Sequence, residues 1–257
     1  MSAWTAFAHR DAYCFDADRT RALWDRLHAG DQEPLPQDER VLSAWALFHS
    51  GAFHEAAQAG LQAGSGGFAV ANKATCIYAN YLERNERPRL ELFLGVAERA
   101  ATQARNDPDD ASAHYWHAYA LGRHGQAINV AKALAQGVGG KVKGALEAVL
   151  RLKPKHAAAH VALGTFHAEV IDKVGPLIAN LTYGSKQEMS LDGFQKAMQL
   201  LPHSAIVKME YANALMMLEG DAAMARATQL YEQAAAHEPL DAMERLGQAL
   251  ARTLLET

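Results

Sequence analysis

Apolar residues along this chain recur three and four positions apart, and β-branched runs with strict alternation are missing. That is the period of a helix that buries one face, so the pattern predicts an all-α protein. The abundance of alanine, the best helix former, agrees with it. Four dipeptides, Asp107-Pro108, Lys153-Pro154, Leu201-Pro202 and Glu238-Pro239, each follow an apolar helical stretch and precede another, as helix stops do.

The stretches before the last three prolines read alike: GALEAVLRLKP at 144–154, GFQKAMQLLP at 193–202 and QLYEQAAAHEP at 229–239. After two of these prolines comes a large residue, a small one and a large one three further on: Leu163, Gly164 and His167, then Tyr211, Ala212 and Leu215. A small residue between large ones lets two helices approach closely, so these sets predict packing knobs around a hole. In LSAWALFHSGAFHEAAQ, 42–58, Ala44, Leu47, Gly51, Phe53 and Ala56 fall at small, large, glycine, aromatic and alanine positions of one further hairpin.

This pattern resembles the tetratricopeptide repeat, a helical hairpin of about 34 residues. The last unit matches through Ala227, Tyr231, Ala234 and Pro239. The prolines at 108, 154, 202 and 239 are 46, 48 and 37 residues apart, so two units carry about a dozen residues beyond that repeat. The excess lies between paired helices, at 122–143 and 169–188, and is expected to extend the first helix or add a short one. ALGRHG (120–125), LRLKP (150–154), HVALGTFHAEV (160–170) and YGSKQEMSLDGFQKAMQLLP (183–202) are similar to segments of the regulator of microtubule dynamics family over roughly residues 110–240. The resemblance implies a right-handed α-α superhelix of tetratricopeptide-like hairpins in a single domain over 1–257. Within it, 1–108 would form degenerate hairpins, 109–239 the long-insert units and 240–257 a capping helix. That family's eukaryotic members carry a membrane or targeting segment and associate with microtubules, whereas this chain has no such segment, so the cellular role does not transfer with the fold.

A stack of hairpins leaves a concave surface lined by the first helix of each pair, a surface that normally holds a peptide or a helix. Extending the register assigns to that face Lys73, Cys76, Asn80 and Glu83, then His114, His117, Leu121 and His124. Val161, Thr165 and Glu169 follow, then Met209, Asn213, Met216 and Met217. Lys73 and Asn80 offer ammonium and amide donors that suit a carboxylate. A methionine stripe adapts to varied apolar partners, but it also suits a core beneath a helix over 240–255.

Composition narrows the chemistry. With 49 % apolar residues, about a fifth charged and a net charge of −4, the chain reads as soluble, with no field to attract nucleic acid. Its start lacks the basic and apolar run of a secretion signal and no apolar stretch approaches the ~20 residues that span a membrane, so a cytoplasmic location is the expectation. Cys14 and Cys76 permit no disulfide framework or four-thiolate metal site. His114, His117 and His124, and separately His156, His160 and His167, could each share a helix face and bind a metal or small ligand, an alternative reading. A cytoskeletal filament binder is the other. No phosphate loop, nucleophile elbow or dinucleotide turn occurs, so a non-enzymatic scaffold without cofactor is expected, its partner a protein or peptide segment and its oligomeric state open.

Overall fold

The computed structural model describes residues 4–128 and 130–256; Asn129, inside the first predicted insertion, and the first three residues of the start lie outside the described residues. Among the described residues there is no strand, and the chain is all-α as its periodicity predicts. It forms two compact units. The first contains the chain up to His28, Gln32–Leu152 and Leu240–Met243; the second contains Ala29–Asp31, Lys153–Pro239 and the chain from Glu244.

The first unit opens with two short helices, α1 (Ala17–Ala22) and α2 (Trp24–Leu27), and continues through α3 (Glu39–His49), α4 (Phe53–Gln62), α5 (Phe68–Tyr81), α6 (Glu86–Asn106), α7 (Ala111–Ala127), α8 (Val130–Ala135) and α9 (Val138–Leu152). Each long helix packs on its successor, α7 passing over α8 to α9, while α3 also touches α5 and α5 touches α7. This is the contact pattern of antiparallel hairpins laid side by side. Helix α5 is consequently enclosed, with every residue from Ala69 to Ala79 buried. Alanine and glycine make that possible. A Cβ placed on Gly60 of α4 would stand 2.6 Å from the Gly67 carbonyl oxygen at the entry to α5.

Enclosure brings polar side chains inside with the apolar ones. His49, Asp241 and His28 are all buried, and His49 Nδ1 donates to Asp241 Oδ2 at 2.6 Å. The other ring nitrogen, His49 Nε2, faces His28 Nε2 at 3.4 Å. Trp24 stacks on His28 with centroids 4.0 Å apart, and Trp45 meets the same ring edge-on at 4.5 Å. A buried polar group is tolerated where it is hydrogen-bonded, which this chain of groups achieves across 192 residues of sequence.

The second unit comprises α10 (Ala157–Val174), α11 (Pro176–Tyr183), α12 (Gln187–Leu200), α13 (Ala205–Glu219), α14 (Met224–Ala235) and α15 (Ala242–Leu255), the last from Glu244 onward. α10 packs on both α12 and α13, and α13 on α14. Gly164 of α10 and Gly193 of α12 face each other, the Gly193 Cβ position lying 3.4 Å from Gly164 Cα. Phe194 fills the space beside them, fully buried, and Tyr211 stacks on it at 5.2 Å and 7°. Ala212 and Leu215 are buried, the hole and knob that the spacing predicts. Both insertions add short helices, α8 and α11, and neither simply lengthens its predecessor.

Replacing Gly60 by Ala is expected to destabilise the protein by about 1–3 kcal/mol, because a fixed carbonyl occupies the space. Gly95→Ala in α6, which meets nothing within 4 Å, should instead stabilise by about 0.5–1 kcal/mol through helix propensity. Asp241→Ala strips the acceptor from a buried imidazole and should cost about 1–3 kcal/mol. Urea denaturation of the three variants checks these signs and sizes.

Candidate functional site

The histidines are best understood from the turns they sit in. Two residues after Pro108, Pro154 and Pro202 stand Asp110, His156 and Ser204, and each caps the helix that follows. Their side chains accept from the amides of Ala113 at 2.9 Å, Ala159 at 3.0 Å and Val207 at 3.4 Å, satisfying donors that a helix start leaves open. Six residues after the first two prolines stand His114 and His160. Their Nε2 atoms donate to the carbonyls of Pro108 and Pro154, both at 2.9 Å. These are repeated turn fasteners, and the common proline-to-histidine spacing of six was visible in the sequence.

His167 Nδ1 pairs with Ser185 Oγ at 2.8 Å, and His117 Nδ1 donates to the Ala97 carbonyl of α6 at 2.9 Å. The bonds made within each trio therefore run to separate partners. No group of three or more His, Cys, Asp or Glu that could hold a metal ion occurs among the described residues.

The residues assigned to an open face divide into two kinds. Lys73, Cys76 and Met209 are inside. The Lys73 ammonium lies 5.3 Å from the Trp45 ring and 5.2 Å from Phe48, a cation-π position. Cys76 is fully buried, and burial pushes its thiol far above the ordinary range, leaving it protonated. Met209 sits in a core with Ala234 and Ala251, Tyr231 and Leu254 packing against it, so α15 covers this part of α13. Val161 likewise joins the Phe194 core.

Asn80, His114, His117, Leu121, His124, Thr165, Glu169, Asn213 and Met216 are half-buried, and Met217 is exposed. Asn213 Oδ1 accepts from Tyr231 Oη at 2.6 Å, which ties α13 to α14. Glu83 accepts from the Tyr78 hydroxyl at 2.9 Å and from the Asn85 amide at 2.8 Å, and those donors, the Asn85 amide first, hold its carboxyl below the usual range.

In the first unit, α6 and α7 border a shallow, open-mouthed cavity of about 280 Å³ lined by Glu86, Arg87, Leu90, Glu91, Leu94 and His124. His124 Nδ1 is buried there without a hydrogen-bond partner among the described residues. Further along α7, burial lowers the His117 pKa from its ordinary 6.5, assisted by the positive groups His114, Lys141 and Arg105 and opposed by the bond to Ala97. Register reasoning named His124 but missed its α6 companions. Their only sequence signal was two leucines four apart, Leu90 and Leu94, among charges.

Residues 68–257, from α5 onward, match the family model described as regulator of microtubule dynamics protein 1-3. No curated protein matches the chain. No helix among the described residues is long and apolar enough to cross a membrane.

The His117 shift has a defined consequence for stability. Its folded pKa lies below the unfolded 6.5, so between those two values the unfolded chain holds the extra proton. Stability therefore falls as pH drops through that window and levels off below it. His117→Gln keeps a donor for the Ala97 carbonyl and removes the titration. Its melting temperature should fall less than the wild-type value between about pH 7.5 and about pH 5, as measured by circular dichroism.

Proposed function

Because the chain belongs to the regulator of microtubule dynamics family, we propose that it acts as a non-enzymatic helical scaffold that holds a peptide or helix of another protein. The observation that carries this reading is the cavity between α6 and α7. Leu90 and Leu94 give it apolar lining, Glu86, Arg87 and Glu91 give it charge, and His124 adds an imidazole ring. Its volume of about 280 Å³ suits one or two amino-acid side chains. Its mouth is open, so a segment lying along α6 and α7 can lower a side chain into it. The half-buried residues of α7, His114, His117 and Leu121, extend the same surface and would contact the remainder of the segment. Two free cysteines suit a reducing compartment such as the cytoplasm.

The family favours a second reading, in which the partner is a cytoskeletal filament. With a net charge of −4, such binding would rest on a local basic surface, for which Lys132 and Lys141 are exposed. Cosedimentation with microtubules that weakens as salt rises would support it, and an unbound chain at low salt would dismiss it.

Peptides selected from a displayed library on the purified protein test the first reading. Leu94→Asp changes a side chain already 40 % exposed and should leave the fold intact. It is expected to weaken the selected peptides roughly tenfold or more, as for loss of an apolar anchor. Equal binding by wild type and variant would remove the cavity from consideration.

A further inference from the structure

The second unit presents an apolar face that its own chain leaves in water. On α11, Leu177 and Leu181 are 72 % and 77 % exposed, more than any other large apolar residue among the described residues, and Ile178 is 54 % exposed. Spacings of three and four put these side chains on one side of the helix. Ala179 is the buried residue that seats α11 on its own molecule, and Tyr183 fixes its end by meeting Phe166 edge-on at 5.6 Å. A contiguous apolar patch held out on a seated helix marks a contact surface.

Its charge and size answer those of the cavity bordered by α6 and α7. No charged residue occurs from 174 to 185, and the nearest on either side are Lys173 and Lys186. Both lysines are exposed and without an ion pair among the described residues; Asp172 and Glu188 lie further out along the chain. Around the cavity stand two glutamates and one arginine. Arg87 is already paired with Glu91 at 3.0 Å, which leaves Glu86 as the uncompensated charge. Leu90 and Leu94 in the lining are four apart, as Leu177 and Leu181 are on α11. An open-mouthed volume of about 280 Å³ admits one or two leucine side chains that protrude from a helix, and these protrude.

We propose that the cavity holds α11 of a second copy of this chain, with Leu181 and Leu177 against Leu90 and Leu94 and a flanking lysine facing Glu86. This rests on the reading of the cavity as a receptor for a protein segment, and it names that segment. The contact is heterologous, a cavity on one molecule and a helix on the next, so each molecule keeps one unused face of either kind and association continues into rings or chains. Two α11 helices paired with each other would instead bring the lysines of both copies together, a like-charge cost. Three apolar side chains fall well short of the ~20–30 residues a side of a stable interface, so the contact is transient.

Sedimentation velocity of the full chain from about 10 μM to about 1 mM, a range suited to a transient contact, tests this. The wild-type sedimentation coefficient is expected to rise with concentration, whereas Leu94→Asp and Leu181→Asp each remain monomeric. Both positions are exposed, at 40 % and 77 %, and circular dichroism checks that the variants fold. Leu94→Asp retains α11 and Leu181→Asp retains the cavity, so an equimolar mixture of the two should regain one contact and stop at a dimer. A wild type monomeric at every concentration, association that survives either variant, or a mixture that stays monomeric would overturn the proposal. So would a monomeric wild type that binds anionic phospholipid vesicles through Leu181, which assigns α11 to a membrane surface. Selected peptides that still need Leu94 when the wild type is monomeric leave the receptor reading standing; peptides indifferent to Leu94 remove both.

Discussion

Within each unit the helices touch over alanine and glycine. At Gly60 and Gly67, and again at Gly164 and Gly193, the backbones come so near that a methyl group on either side would meet fixed atoms. Close-packed interiors leave no slack at such points, so these contacts set the spacing of the hairpins and everything hung on them. The enclosure of α5 follows directly. A helix contacted by α3, α4, α6 and α7 has no free side, so Asn72, Lys73 and Cys76 are carried into the interior whatever their polarity.

Polar groups carried inside must then find partners there. His49 and Asp241 find each other, Lys73 finds aromatic faces, and His167 finds Ser185. Turns solve a smaller version of the same problem. After each of three prolines a side chain two positions on satisfies an open helix amide, and after two of them a histidine also closes onto the proline carbonyl. Most of the histidines that look like metal ligands are thereby given structural work. Buried polar atoms without a hydrogen-bond partner among the described residues include His124 Nδ1, Asn72 Nδ2 and Gln103 Oε1.

The family match begins at α5 and so includes α6 and α7, which line the cavity. The helices before it share the hairpin logic, seen in the 42–58 segment that forms α3 and the start of α4, where Ala44, Phe53 and Ala56 are buried as the spacing predicts. A helical framework of this kind can keep a common architecture while the residues on its half-buried faces vary.

Much of this was legible in the amino-acid order. The 3.6-residue period gave the helices, the four prolines gave their ends, and the small residues at Gly164 and Ala212 gave the points of closest approach. Those features are local, since each depends on residues within a turn or two. What the order left open was which side of a buried helix faces what. On α7 the stripe of His114, His117 and His124 and the stripe of Tyr119 and Arg123 are equally regular, and the pattern alone assigned the histidines to the open face. Packing turns His117 and His124 toward α6, whereas Arg123 lies over the Tyr119 ring of its own helix. The reason is physical: α7 is contacted by α5, α6 and α9, so polar and apolar residues occur all round it. Only the positions of its neighbours, supplied by distant sequence, select among the faces.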